Sequence, residues 1–204
     1  MGPLQITQET TCVPLVIRAA DTPASRLDFT TGYFSINPAY ANLIVKGRFQ
    51  SEMITASPRA NGFYGSKGIS GYLPAAYTWF ESLFWATLQA QKRHEQVTVR
   101  EWGKEGWTYH AKGIWLYPHD AKASPSLTLL GSSNFGTRSA SLDLECTLLI
   151  DASSSPSVQK RLKEEVAELR KNAEDVVGEE MFAREERKVH WGVKVAAWFI
   201  KRML

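Results

Sequence analysis

Two residues with phosphate chemistry, His110 and Lys112, lie two positions apart within residues 109–117, YHAKGIWLY. Aromatic and β-branched residues dominate this segment and predict a β-strand. Because residues i and i+2 of a strand point to one face, the imidazole and the ammonium are expected side by side. The ammonium can hold phosphate oxygens, and the imidazole can attack phosphorus or donate a proton to a leaving group. Gly113 follows, with no side chain to crowd a ligand.

A neighbouring strand is predicted from the apolar run 127–130, LTLL, which ends in the small polar turn 131–134, GSSN. Such a turn presents a hydroxyl, a carboxamide and backbone N–H groups at the end of a strand. Ser132 and Asn134 are therefore candidates for binding phosphate oxygens, beside the imidazole and the ammonium of the first strand.

The elements around these two strands predict an α/β fold, a mixed β-sheet flanked by helices. Further strands are predicted over 29–36, 52–57, 97–101 and 148–151. Helices are predicted from Pro38, with Asn37 as the cap, from Pro74 to about Lys92, and after Ser157. We assign residues 1–28 to a linker or a remnant of an upstream region, 29–175 to a catalytic domain, and 176–204 to a C-terminal amphipathic helical segment.

A glycine-rich loop, residues 57–72, carries Asn61, Lys67 and four glycines. One interpretation is a cradle for a phosphate or a lipid headgroup, because glycines free backbone N–H groups and Lys67 adds positive charge. The other is a surface loop with one solvated lysine. The pattern alone leaves both open.

The last segment, residues 189–204, predicts an amphipathic helix. Its basic residues fall on one face of the wheel and its aliphatic residues fall opposite, with Trp191 and Trp198 near the boundary. Such a helix can lie in the interface of an anionic membrane, but its apolar run is far shorter than the ~20 residues that a span requires. The alternative is a helix that docks on the core of the domain.

Composition excludes several classes of protein. The chain has 204 residues, 22% of them charged, and a net charge of only +3, so nucleic acid is not expected as a partner. Two distant cysteines argue against a disulfide framework or a structural zinc site. No acidic cluster has the pattern of a Mg²⁺ site, so neither a metal nor a cofactor is expected. The N-terminus shows no targeting segment and reads like the middle of a longer protein.

The order H-x-K, then G-S-x-N, then an acidic residue about ten positions later resembles the phospholipase D superfamily. The string HAKGIWLY, LTLLGSSNFGTRS and DLE is similar to the second motif of the mitochondrial phosphatidylglycerophosphate synthases. The stretch NGFYGSKGISGYLPAAY is similar to the interior of the same family. The resemblance runs from about residue 29 to the end of the chain, and several ordered blocks make it specific.

The resemblance implies a reaction. CDP-diacylglycerol and glycerol 3-phosphate would give phosphatidylglycerophosphate and CMP through a phosphohistidine, without a metal. It also implies a mitochondrial enzyme, peripheral on the inner membrane. His110 would be one of two catalytic histidines, either the nucleophile or the general acid. The implied phosphate ligands are Lys112, Asn134 and Ser132. Glu145 would accept the Nδ1 proton of a catalytic histidine, and Asp143 is its rival for that role.

Two features depart from the family pattern. Tyr117 stands where the superfamily carries an aspartate, and the chain has one H-x-K motif where the family has two. The resemblance therefore implies one phospholipase D-like half, which needs a missing N-terminal half or a second copy of itself. The alternatives are an inactive fragment or a homodimeric phosphodiesterase of the phospholipase D type.

Overall fold

Seven strands within the described part of the chain form one mixed sheet. The computed structural model describes residues 8–201, so residues 1–7 and 202–204 lie outside it. The strands are β1 (Arg26–Thr31), β2 (Gln50–Ala56), β3 (Val97–Trp102), β4 (Gly113–Tyr117), β5 (Leu127–Gly131), β6 (Thr147–Asp151) and β7 (Asp175–Val176). Their order is β6-β5-β4-β1-β2-β3-β7. β1, β2 and β3 run parallel, whereas the other neighbouring pairs are antiparallel.

Helices flank this sheet, which confirms the predicted α/β fold. Those among the described residues are α1 (Gln8–Ala19), α2 (Pro38–Lys46), α3 (Leu73–Ala90), α4 (Thr137–Ser141), α5 (Pro156–Arg170), α6 (Glu179–Ala183) and α7 (Trp191–Ile200). Helix α2 begins as predicted, because the Asn37 side chain accepts a hydrogen bond from the Ala39 N–H at 2.9 Å. The predicted strand 29–36 is shorter at its end: β1 stops at Thr31, and Ile36 forms only an isolated bridge.

Helix α1 lies in the segment 1–28, which the sequence assigned to a linker. Its buried apolar residues are Val13, Val16 and Ile17, followed by Ala20 just beyond the helix. These positions have helical spacing, but Pro14 interrupts the pattern, since proline normally ends a helix. The described part of this segment is therefore helix and strand packed into the domain, while residues 1–7 lie outside the described residues.

The two faces of the sheet bury different sets of side chains. One face packs against α1, α2, α3 and α6. Its strand residues are Leu27, Phe29, Met53, Val97, Val99, Ile114, Leu116 and Leu129. On the other face, Trp115 and Tyr117 pack against Leu162 and Val166 of α5. This alternation along each strand follows from the two-residue period of β-structure.

Tyr117, which occupies the position of the superfamily aspartate, is buried against the charged side chains of the second face. Its hydroxyl donates a hydrogen bond to Asp28 of β1 at 2.8 Å. Arg170 of α5 donates to the same carboxylate at 2.8 Å, and Arg26 does so at 2.6 Å. The carboxylate in this part of the sheet thus comes from Asp28 of β1 and not from β4. Its hydrogen bond from Arg170 joins α5 to the strands.

A buried ion pair anchors the C-terminal segment to the sheet. Arg187 donates two hydrogen bonds to the carboxylate of Glu101 on β3, one of them at 2.7 Å. Glu81 of α3 lies beside this pair and is 2% exposed. Burial raises the pKa of Glu81 well above its usual range, and the charge and hydrogen bond of Glu101 act in the same direction. Burial therefore favours the neutral form of Glu81 within this cluster.

Helix α7 matches the predicted C-terminal helix over residues 191–200, and residues 202–204 lie outside the described residues. It packs on α3, with Ala197 buried. On its outer side, Trp191, Trp198 and Phe199 are 71%, 58% and 72% exposed. Docking on the core and an exposed aromatic face thus occur in one helix. Within residues 8–201, no helix has both the length and the apolar character needed to cross a membrane.

The glutamate cluster gives a matched pair of stability predictions. Replacing Glu101 by Gln is expected to cost about 3 to 5 kcal/mol, because it leaves the buried Arg187 without its counter-charge. Glu81→Gln replaces an acid whose neutral form burial already favours. The folded-state pKa of Glu81 is raised, so the wild type loses stability as pH rises above the usual carboxyl range, and Glu81→Gln does not.

Urea unfolding of the three proteins between pH 5 and pH 8 measures both effects. The stability of Glu81→Gln relative to the wild type is expected to increase as pH rises. Equal losses of stability in the two variants at every pH would contradict a protonated Glu81.

Candidate active site

The strand register brings the predicted site residues to one edge of the sheet. Thr30 of β1 pairs with Gly113 of β4, which in turn pairs with Leu130 of β5. Gly131 pairs with Thr147 at the start of β6. The end of β1, the approach to β4, the end of β5 and the approach to β6 therefore meet, and the segments 110–112, 132–134 and 145–146 lie together there.

His110 and Lys112 lie just before β4 and not within it, which corrects the predicted strand 109–117. The preceding Tyr109 is tied elsewhere: its N–H donates to the Ala60 carbonyl at 2.8 Å, and its buried ring stacks on Trp102. These contacts hold the chain away from the strand ladder. The Lys112 ammonium donates to the backbone carbonyl of His110 at 3.0 Å, and its charge acts on the imidazole, so the two groups remain close.

The imidazole of His110 rests on an aromatic platform. The Tyr33 ring meets it edge-on at a centroid distance of 5.5 Å. The ring of Tyr77 on α3 stacks on the Tyr33 ring, and the Phe63 ring also contacts Tyr33. Both centroid distances are 5.4 Å. Gly32 allows this approach, because a Cβ there would lie 3.2 Å from the His110 Cα. Tyr33 belongs to none of the sequence motifs. What could have indicated its role is its position directly after Gly32, at the end of a strand.

Burial and charge both favour the neutral imidazole. Burial lowers the pKa of His110, and the positive charge of Lys112 lowers it further. Burial also lowers the pKa of Lys112, while the negative charge of Glu145 opposes that shift. The site thus sets a neutral imidazole beside an ammonium, and the carboxylate of Glu145 acts electrostatically on that ammonium.

Ser132 and Glu145 form a direct pair at the end of β5. The Ser132 hydroxyl donates to the Glu145 carboxylate at 2.5 Å and accepts from the Cys146 N–H at 3.0 Å. No hydrogen bond joins Glu145 to His110 within the described residues. The predicted contact between Glu145 and a catalytic histidine stays a prediction. The Ser132 hydroxyl must break its hydrogen bond to Glu145 before it can donate to a phosphate.

Asp143 pairs with Arg138, whose Nε donates to the carboxylate at 2.8 Å. Neither Asp143 nor Glu145 lies on a strand, because the chain reaches β6 only at Thr147. This ion pair makes Asp143 the weaker candidate for contacting a catalytic histidine.

Asn134 is fixed through its backbone, and its side-chain nitrogen is left available. Its N–H donates to the Ser139 hydroxyl at 3.2 Å, and the Thr31 hydroxyl donates to its carbonyl at 3.1 Å. No hydrogen bond joins the side-chain nitrogen of Asn134 to another described residue. Phe135 follows with φ of 57°, which turns the chain sharply. The turn therefore presents a carboxamide donor at the sheet edge.

Gly113 has a packing role in place of the predicted room for a ligand. A Cβ at this position would lie 2.8 Å from the Trp115 ring and 2.9 Å from the Leu130 side chain. Even an alanine would therefore collide with the second face of the sheet.

Glu9 of α1 is a site residue that sequence reasoning missed. The Tyr40 hydroxyl donates to it at 3.4 Å. Burial raises the pKa of Glu9, which also lies within electrostatic reach of Glu145 and next to Ser133. The apolar spacing of α1 was the available signal, and the interrupting proline hid it.

The glycine-rich loop borders the site through Phe63. Asn61 is buried, and its side chain accepts from the Phe63 N–H at 3.0 Å, so it shapes the turn. Lys67 is exposed. Across residues 8–201, no group of three or more His, Cys, Asp or Glu side chains could hold a metal ion. The side chains present suit nucleophilic or proton-transfer chemistry on a phosphate.

Comparison with known proteins agrees with this geometry. No protein-family model matches the sequence. The chain is 36% identical over 201 residues to the mitochondrial CDP-diacylglycerol–glycerol-3-phosphate 3-phosphatidyltransferase of Bos taurus, covering 98% of this chain and 35% of that protein. It is also 36% identical over 209 residues to the CDP-diacylglycerol–glycerol-3-phosphate 3-phosphatidyltransferase of Saccharomyces pastorianus. That match covers 97% of this chain and 40% of the yeast protein. The chain thus spans about a third of the length of the first curated relatives it matches.

The fold is that of a solved phosphatidyltransferase. The crystal structure of phosphatidylserine synthase from Haemophilus influenzae matches with a TM-score of 0.75 at 23% identity, over 97% of this chain and 45% of that one. The two chains thus share a fold, and in this chain the histidine and lysine pair lies at one edge of the sheet. By sequence, the chain is related over almost its whole length to the CDP-diacylglycerol–glycerol-3-phosphate 3-phosphatidyltransferases.

Replacing Lys112 by Met is expected to raise the pKa of His110, because the ammonium disfavours the imidazolium. The pKa should stay below its usual range, since burial remains. Histidine NMR titration measures this, with His110→Asn assigning the resonance among the four histidines. Lys46→Met, an exposed lysine of α2, serves as the control. An unchanged pKa in Lys112→Met would show that the two side chains are not coupled.

Proposed function

We propose that this chain is one catalytic half of a phosphatidyltransferase. In the proposed reaction, CDP-diacylglycerol and glycerol 3-phosphate give phosphatidylglycerophosphate and CMP. The observation that carries the proposal is the meeting of His110, Lys112 and Asn134 at one sheet edge, in a chain related over 98% of its length to enzymes of that name.

The chemistry divides into two displacements at one phosphorus. A neutral histidine attacks the phosphatidyl phosphorus, the bond to CMP breaks, and a phosphohistidine forms. A hydroxyl of glycerol 3-phosphate then attacks that phosphorus and releases the histidine. The second histidine protonates CMP and later takes the proton of the acceptor hydroxyl. The lowered pKa of His110 supports the neutral form that attack requires.

Lys112 and Asn134 are the proposed donors to the phosphate oxygens, since both have unspent N–H groups at the sheet edge. Ser132 is the proposed third donor, once Glu145 gives up its hydrogen bond. Glu145 is then free to accept the Nδ1 proton of a catalytic histidine in this half or the other. Of the two loop residues, Lys67 remains a candidate for the substrate headgroup, whereas the inward Asn61 side chain supports a structural role.

The second half is proposed to pack against β6. This strand ends the sheet that the described residues form, so no strand among them pairs with its outer side. Around Glu145, Leu144 and Leu148 are 86% and 62% exposed. An open strand edge with exposed leucines is normally covered in a soluble protein. A half that covers it would bring a second histidine toward the pair of Ser132 and Glu145. A second copy of this chain is the alternative occupant.

A peripheral location on an anionic membrane surface is proposed for the enzyme. The outward side of α7 carries Trp191, Trp198 and Phe199, which suit the interface between headgroups and acyl chains. Lys194 and Lys201 add positive charge to the same helix region. The relatives are named mitochondrial, which supports the mitochondrion, and the lipid substrates support its inner membrane.

The chain alone, as a monomer, is expected to release no CMP from CDP-diacylglycerol, because one histidine cannot serve both displacements. Adding the upstream segment of a relative, expressed separately, should restore activity. His110→Asn should then lower the rate by at least about 10² to 10⁴. His119→Asn, an exposed histidine outside the site, is the matched control.

Light scattering beside the CMP assay separates the outcomes. Turnover by the monomer would contradict the two-half proposal. Activity confined to a dimer would support the homodimeric phosphodiesterase, and Leu148→Asp should then dissolve that dimer. Absence of activity in the monomer, in the dimer and in the presence of the upstream segment would indicate an inactive fragment.

The membrane proposal predicts that Trp191→Ser combined with Trp198→Ser weakens binding to anionic vesicles about tenfold or more, because it removes apolar area from the interface. Trp107→Ser, which removes a tryptophan of similar exposure outside α7, is the control. Vesicle co-sedimentation measures binding, and circular dichroism checks folding. Wild-type binding by the double variant would leave α7 as a docked helix only.

A further inference from the structure

A cleft of about 340 Å³ lies between α3, α6 and the segment that leads into α7. Its walls include Trp79 and Ser82 of α3, Phe182 of α6, and the basic residues Arg187, Lys188 and Lys194. The cleft is separate from the His110 site. Tyr77 faces the aromatic platform under His110, whereas the two residues that follow it, Thr78 and Trp79, line the cleft.

The positive charge of the cleft is only partly neutralised. Arg187 is matched by Glu101, to which it donates two hydrogen bonds. Lys188 pairs with Glu185 at 2.5 Å, but both side chains are largely exposed, and such a pair contributes little. Within the described residues, no carboxylate pairs with Lys194. Burial raises the pKa of the nearby Glu81 and favours its neutral form, which weakens its offset of this charge.

The walls also suit the apolar part of a ligand. Trp79 and Phe182 line the cleft, and α7, which supplies Lys194, begins with the exposed Trp191. The hydroxyl of Ser82 donates to a backbone carbonyl of its own helix at 2.7 Å, so the lysines are the main donors to an anion. The volume is within the range of small-ligand sites.

We propose that this cleft is a second anion site, which binds a phosphate ester through Lys188 and Lys194 with its apolar part against Trp79 and Phe182. The phosphate ester is either the headgroup of an anionic phospholipid or a soluble phosphate monoester. The site is independent of the transfer reaction at His110, and it would let the chain hold a phosphate-bearing molecule while the catalytic edge is empty.

Fluorine NMR of the chain labelled with 5-fluorotryptophan tests the site directly. Trp79→Phe assigns the Trp79 resonance among the seven tryptophans. Trp102, stacked on Tyr109 next to His110, reports on the catalytic edge. The probes are inorganic phosphate, glycerol 3-phosphate and dihexanoylphosphatidylglycerol, with dihexanoylphosphatidylcholine as the zwitterionic control. A saturable change at Trp79 is expected with at least one of the three anionic probes.

Matched variants identify the donors. Lys194→Ala and Lys188→Ala should each weaken binding at Trp79 about fivefold, from roughly 1 kcal/mol per lysine, and Lys194→Arg should retain it. Lys160→Ala on α5, an exposed lysine 3.9 Å from Glu164, should change nothing. All the variants alter exposed side chains, and circular dichroism confirms that they fold.

The probes distinguish the two sources of the phosphate. A response to the lipid alone identifies a headgroup site, and a response to inorganic phosphate or glycerol 3-phosphate identifies a site for soluble esters. The proposal is overturned if no anionic probe changes Trp79 saturably, if only Trp102 responds, or if Lys194→Ala binds as the wild type does. These readouts need no turnover, so they stand whether or not the proposed transferase activity is found.

Discussion

The close approach of backbone segments at one sheet edge is the constraint on which the site depends. At Gly131, a Cβ would lie 2.3 Å from the Cys146 carbonyl oxygen, so β5 and β6 could not meet. At Gly113 and Gly32, a side chain would press on the Trp115 ring and on the backbone of His110. Three residues without side chains therefore let β1, β4, β5 and β6 converge. That convergence sets the imidazole, the ammonium, the carboxamide and the carboxylate within reach of one another.

Charge balance is the second property of this edge. Burial and Lys112 both disfavour a protonated His110, while Glu145 favours the charged form of Lys112. Glu9 adds a carboxyl whose pKa is raised by burial. The result is a cationic donor beside a neutral imidazole, which suits an anionic phosphorus centre without a metal in the proposed reaction. At this edge the Ser132 hydroxyl donates to the Glu145 carboxylate. A bound phosphate would compete for the hydroxyl, and a second histidine would compete for the carboxylate.

The exposed surfaces of the domain agree with a protein that works in a larger assembly. The β6 edge and its leucines lie next to Glu145, where the proposed second half would place its histidine. Helix α7 lies elsewhere, on α3, and exposes its aromatic side beside a cationic cleft. One surface therefore suits a protein partner and the other an anionic lipid. The chain spans about a third of the first curated relatives, which leaves ample length in such proteins for the second half.

The sequence by itself determined the chemistry and most of the elements. H-x-K and G-S-x-N named His110, Lys112, Ser132 and Asn134, and local signals such as the Asn37 cap located helices, because both depend on residues close in the chain. Only the tertiary structure decided which distant groups meet. Tyr33 and Glu9 join the site, Tyr117 reaches Asp28 across a strand pair, and Gly113 is required by packing. Long-range contacts also held His110 outside β4 and made α1 a helix despite its proline. Such outcomes depend on burial and register across the sheet, which no local pattern of residues contains.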